Sequence, residues 1–167
     1  AFFNGKDLTG WVSASGTWKV ADGELVGGGG RAANRSVVTA RTYTDFEIAF
    51  RIKRTGGGNP SFVFRGPTPT QPGGSRTSPR LMFSARGVVN VTPLAGGQTA
   101  KKEEKGKNTA LMLKPDEFTD VTVRCVGSRL TVTANGKPVT DGEFDMPAEG
   151  VIGWAAGAAG AEVTVRD

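Results

Sequence analysis

Asp45-Phe46-Glu47-Ile48-Ala49-Phe50-Arg51-Ile52-Lys53-Arg54 puts Phe46, Ile48, Phe50 and Ile52 on one face of an extended chain, and Glu47, Arg51 and Lys53 on the other. A period of two held over ten residues reads as a half-buried β-strand, because successive side chains of a strand point to opposite faces. Val121, Val123 and Cys125 repeat the pattern over Asp120 to Val126, and Leu130, Val132 and Ala134 repeat it after a Gly127-Ser128 link short enough for a hairpin. Asp22-Gly23 lies between W-K-V-A and E-L-V, and Asn135-Gly136 between L-T-V-T-A and K-P-V. Both dipeptides supply the positive φ that type I′ turns require. Further strands are expected at Ser36–Ala40, Ser61–Arg65, Arg80–Ala85, Val88–Thr92, Val151–Trp154 and Ala161–Val165. About ten strands in one chain make two packed sheets, an all-β sandwich.

Composition agrees. The 167 residues fit one domain, 1–167, able to bury roughly 70% of its unfolded surface without staples. Glycine is abundant, at 25 residues, but a 37% hydrophobic content with three tryptophans argues for a packed core rather than disorder. Gly66 to Pro79 carries four prolines and three glycines, which a central strand does not tolerate, and reads as a long loop. Thr99 to Asn108 contains K-K-E-E-K-G-K and reads as a solvated loop with room for one helical turn.

The single cysteine, Cys125, excludes an intrachain disulfide, and the chain has no histidine. A Ser-His-Asp triad, a Cys-His dyad and the usual zinc sites are therefore excluded. An oxygen-ligand ion such as calcium stays open, but no Asp-rich loop of calcium-binding spacing appears, so no metal or cofactor is expected. A net charge of +5 suits either an anionic ligand or simple solubility. No apolar run approaches the length of a membrane span. The chain opens at Ala1-Phe2-Phe3 without a methionine, and is expected to be a domain cut from a longer protein.

Phe3-Asn4-Gly5-Lys6-Asp7-Leu8-Thr9-Gly10-Trp11 resembles the opening signature of the 3-keto-disaccharide hydrolase family, formerly a domain of unknown function. The likeness continues in order. It runs through Trp18-Lys19-Val20 with Asp22 to Gly27, Tyr43-Thr44-Asp45-Phe46-Glu47, Gly58-Asn59 with Phe62 to Gly66, Lys114-Pro115, Asn135-Gly136 and Gly150-Val151-Ile152-Gly153-Trp154. The resemblance implies a concanavalin-like jelly-roll β-sandwich of two antiparallel sheets, a glycoside or oligosaccharide ligand, and a periplasmic or extracellular compartment.

It also implies a polar site on the concave sheet, with an E-x-Q-I-x-D strand after the long loop and Q-D-H-G after G-x-I-G-L. Here Arg80, Met82 and Ala85 stand at the first three polar places, and Ala155-Ala156-Gly157 at the others. Glycoside cleavage needs a positioned acid or base, and these substitutions remove it, so no catalytic residue is assigned.

Six residues remain as ligand-binding candidates. Arg65 alternates with Ser61 and Val63 and is expected to point away from the core, where its planar fork suits sugar hydroxyls or a carboxylate; the alternative is a structural partner for an acid. Asn59 either binds ligand or shapes the turn before Pro60. Trp154 is a stacking platform or a core residue. Arg51, Arg80 and Arg124 face outward by alternation and, with Arg65, would form a basic concave sheet; scattered solvated arginines are the alternative.

Three functions follow. The first is a non-catalytic carbohydrate-binding or interaction module. The second is an active hydrolase of 3-keto-glycosides working through groups such as Glu24, Glu47 or Asp141. The third, binding of nucleic acid or another anionic partner, has the pI near 9.7 in its favour. It lacks an aromatic-interleaved basic strand, so nucleic acid is not the expected partner. The sequence leaves the oligomeric state open.

Overall fold

The computed structural model describes residues 2–13, 16–28, 36–68, 78–84, 89–90, 105–157 and 160–167. Among them are fourteen strands and no helix. In chain order these are β1 (Trp11–Val12), β2 (Trp18–Ala21), β3 (Glu24–Gly28), β4 (Ser36–Thr39), β5 (Phe46–Thr55), β6 (Ser61–Gly66) and β7 (Arg80–Met82). They continue with β8 (Val89–Asn90), β9 (Lys105–Asn108), β10 (Thr119–Val126), β11 (Arg129–Ala134), β12 (Lys137–Glu143), β13 (Val151–Ala155) and β14 (Glu162–Arg166). One sheet runs β1-β4-β13-β6-β7-β8, the other β2-β3-β14-β5-β10-β11-β12-β9. Every pairing between these strands is antiparallel. The fold is the all-β sandwich of two antiparallel sheets that alternation and turn chemistry anticipate, and it is the concanavalin-like jelly roll that the family resemblance implies.

The hairpins form for the expected reason. Asp22 and Gly23 have φ of 52° and 76°, and Asn135 and Gly136 have 48° and 74°. Positive φ at both central residues gives the type I′ twist that starts the β2–β3 and β11–β12 pairings, the second of which shifts register between Val132 and Thr133. Alternation then aims one apolar set from each sheet into a shared core. Phe62, Phe64, Leu81, Ile152 and Trp154 come from the six-stranded sheet; Ile48, Phe50, Ile52, Val123 and Val163 come from the eight-stranded one. Phe50 stacks on Phe62 at 5.4 Å and meets Trp154 edge-on at 5.3 Å, so aromatic contacts join the two layers directly.

The opening motif is a self-bonded loop. Asn4 Oδ1 accepts from the Lys6 and Asp7 amides (2.8 and 3.0 Å), while Asp7 Oδ1 accepts from Asn4 Nδ2 and the Thr9 amide (2.7 and 2.8 Å). These bonds, the Asn4 amide first, hold the Asp7 carboxyl down at about 2. The loop delivers Phe3 and Trp11 to the core on either side of it.

Two expectations are corrected. Lys105–Asn108, read as loop or helical turn, is the edge strand β9, paired with Thr140 to Glu143 of β12. A charged edge strand is a common defence against edge-to-edge association, so its lysines masked the strand signal. Trp11–Val12, read only as part of the opening motif, pairs with β4. The centre of the Gly66–Pro79 loop, Ala85, and the charged run before Lys105 lie outside the described residues.

Candidate functional site

The six-stranded sheet presents its second face away from the core, and register decides what stands on it. Met82 is opposite Ser61, and Ser61 is opposite Ala155, so these three form one row across β7, β6 and β13. Arg80, Val63, Gly153 and Val38 form the next row. Leu81, between Arg80 and Met82, is fully buried in the core. Arg80 and Met82 therefore face outward, and the register that alternation assigned to this strand holds.

Phe83 N donates to Pro60 O at 3.1 Å and carries the β6–β7 pairing on toward Asn59. Gly157 closes the same end: a Cβ there would stand 2.4 Å from the Asn59 carbonyl oxygen. The chain segment after β13 and the segment before β6 thus meet, with Asn59 and Gly157 exposed and Arg80, Met82 and Ala155 half-buried around the buried Ser61. The strip offers an arginine fork, an amide, a hydroxyl and a thioether, groups that can hold a polyol or a carbonyl. Burial pushes the Arg80 guanidinium below its usual range, yet a guanidinium stays charged at neutral pH. Of the six residues singled out in the sequence, the structure brings two, Asn59 and Arg80, to this strip.

The other four lie elsewhere. Arg65 is 2% exposed and does not face solvent. Its Nε and Nη2 donate to the Thr44 carbonyl (3.1 and 2.9 Å), its Nη1 to the Gly127 and Pro147 carbonyls, and its Nη2 also to Asp45 Oδ1 (3.3 Å). Alternation fails at Arg65, because the β6–β13 register shifts between Val151 and Gly153 and Arg65 takes a φ of +47°, which re-aims its side chain from the outer face that alternation predicts. The β5 entry, the β10–β11 hairpin and the segment before β13 converge on the guanidinium. Arg65 clamps the two sheets together at this corner.

Trp154 is fully buried between Phe2, Trp11, Phe50 and Phe62 and offers no face to a sugar. Arg51 and Arg124 stand on the outer face of the other sheet, bonded to Asp120 at 2.7 Å and Glu47 at 3.4 Å. The basic concave sheet does not exist as a unit, because parity along a strand carries no information about which sheet it joins. Among the described residues no three Asp, Glu or Cys side chains gather as a metal would need.

The family model described as a 3-keto-alpha-glucoside-1,2-lyase-like domain matches residues 1–167. The chain belongs to this family. The chain is also similar to a candidate glycosyl hydrolase from Parabacteroides distasonis ATCC 8503, at 19% identity over 99% of this chain and 89% of that one, with a TM-score of 0.70. It resembles the carbohydrate binding module CBM66 from Bacillus subtilis at 14% identity, covering 95% of this chain and 92% of that one, with a TM-score of 0.66. The VIP36 exoplasmic/lumenal domain, in a Ca2+/Man-bound form, shares 14% identity over 94% and 82%, with a TM-score of 0.58. Likeness at these identities establishes the fold alone. No curated protein sequence matches the chain.

Proposed function

We propose that this chain binds a keto-glycoside or related oligosaccharide at the Asn59–Arg80–Met82–Ala155 strip and does not cleave it. The observation that carries the reading is the outward direction of Arg80 and Met82. On the alignment given above, these are the places where the family's carboxylate and amide stand, and an arginine and a thioether cannot exchange protons with a glycosidic oxygen near neutral pH. What the strip retains is recognition. The Arg80 fork can donate to a sugar carbonyl or hydroxyl, and much of the cost of stripping its water is already met in folding. Asn59 supplies a donor and an acceptor beside it.

The carboxylates available for a hydrolytic reading support this choice. Glu24, Glu47 and Asp141 are each bonded to an arginine (Arg166, Arg124 and Arg129) in the other sheet. The carbohydrate-binding name of one structural neighbour and the exoplasmic/lumenal setting of another support a sugar ligand and a periplasmic or extracellular compartment. The no-cleavage reading is tested by incubation with a 3-keto-disaccharide; monosaccharide release above a denatured control would replace it with an active hydrolase. The site is tested by titrating oligosaccharides into wild type, Arg80→Ala and Asn59→Ala. Weakening by about tenfold for Arg80→Ala is expected from loss of a charge-assisted hydrogen bond; equal affinity in all three proteins would rule the strip out.

A further inference from the structure

A second recess lies away from that strip, at the mouth of the sandwich between β1, β4 and β13 on one side and the start of β5 on the other. Its volume is about 580 Å³, within the range of small-molecule sites. Trp11 and Ile152 are buried in its floor, while Phe2 and Phe46, half-exposed, line it as apolar walls. Arg41, Tyr43, Glu47 and Asp167 supply its polar lining.

Arg41 is held in place from several directions. Its carbonyl accepts from Thr39 Oγ1 at 2.8 Å, and the same hydroxyl accepts from the Ile152 amide at 3.2 Å. Its Nε donates to the Tyr43 hydroxyl at 2.7 Å, with the guanidinium carbon 4.9 Å from the centre of the Tyr43 ring. Tyr43 in turn exchanges two backbone hydrogen bonds with Gly150, at 2.8 and 3.0 Å. The two terminal nitrogens of Arg41 have no bonded partner, and no carboxylate stands within ion-pair distance, among the described residues. A positioned fork of open donors beside aromatic walls is the equipment of a ligand site, since its ordering cost is met before any ligand arrives.

We propose that this recess is a second saccharide site, taking the uncharged pyranoside ring of a glycoside. The inference rests on the carbohydrate reading above and deepens it. Arg41 donates to ring hydroxyls, the Asp167 carboxylate supplies an acceptor at the rim, and the C–H face of the ring lies against Phe2 or Phe46. Glu47 is already paired with Arg124, so Arg41 and Asp167 leave the lining without net charge and a uronate gains nothing there over a neutral sugar. The Tyr-x-Asp-Phe-Glu stretch thereby divides its work: Tyr43, Phe46 and Glu47 line the recess, while Asp45 bonds Arg65 and the Gly127 amide.

The test is a nuclear magnetic resonance titration of the full chain with methyl α-glucopyranoside, and in parallel with the corresponding methyl glucuronide. The Arg41 Nε–H, Tyr43 amide and Trp11 indole report on the recess; the Asn59 side-chain amide and Met82 methyl report on the outer strip. Saturating shifts at the recess reporters are expected, with affinity about tenfold lower in Arg41→Ala and no gain for the glucuronide. Tyr43→Phe, which removes the hydroxyl that orients Arg41, should weaken binding several-fold with an unchanged melting temperature. Shifts confined to Asn59 and Met82 would overturn the second site and leave the first intact. Recess shifts indifferent to Arg41→Ala would overturn it as well. Silence at the recess reporters would overturn the second site, whatever the strip reporters do; the strip stands or falls on the 3-keto-disaccharide.

Discussion

Replacing Arg65 by alanine should damage the fold before it touches any ligand. The guanidinium makes five hydrogen bonds, four of them to the carbonyls of Thr44, Gly127 and Pro147, from a residue only 2% exposed. If truncation left three carbonyls dry, each would cost about 1–3 kcal/mol. Gly127 is exposed and Pro147 half-exposed, so water re-solvates part of the opened space. The desolvation cost of the cation is also recovered. Asp45 is 58% exposed and its ion pair adds little. These offsets place the loss near the low end, about 3 kcal/mol, which for a domain of this size lowers the melting temperature by roughly 6–12 °C.

A second substitution sharpens the test. Arg65 has a φ of +47°, a left-handed conformation. Arg65→Gly removes the same donors but relieves about 1–2 kcal/mol of backbone strain, against about 0.5–1 kcal/mol of added chain entropy. The glycine variant should therefore melt slightly above the alanine variant. Thermal unfolding by circular dichroism measures both. An Arg65→Ala protein melting within about 2 °C of wild type while losing sugar affinity would refute the clamp and restore Arg65 as a binding residue.

Asp7 should give the protein a pH dependence in acid. Its carboxyl titrates at about 2 in the folded loop against 3.8 ordinarily, so between these values the unfolded chain binds more protons. The stabilisation is complete above about pH 4 and fades as pH falls toward 2; the gap in melting temperature between wild type and Asp7→Asn should narrow across that window, whereas parallel curves would contradict the loop's role. Cys125 is fully buried, and burial pushes its thiol up. Thiol-reactive reagent should label it only after unfolding; prompt labelling of the native protein would mean that the core opens locally there.

Much of the fold was readable because its signals are local. Asp22-Gly23 and Asn135-Gly136 announce their turns by residue type, and Phe46 to Ile52 announces a strand by period. The edge strand Lys105–Asn108 was hidden because edge lysines, which serve solubility, erase alternation. The site was less readable, since its residues act through what lies opposite them. Parity placed Arg80 and Met82 correctly on the outer face. It could not show that Arg65, on a strand of the same sheet, would meet three carbonyls, or that Arg51 and Arg124 would join the other sheet. Neither period nor motif marks Arg41; Tyr43, two residues on within the quoted stretch, is the available signal.

The central claim is recognition of a keto-glycoside without cleavage, and calorimetric titration with a 3-keto-disaccharide tests it most directly. The account predicts injection heats that return to baseline and saturate. Sustained heat flow after each injection, the mark of turnover, would contradict it, and so would the absence of any saturable heat at two temperatures.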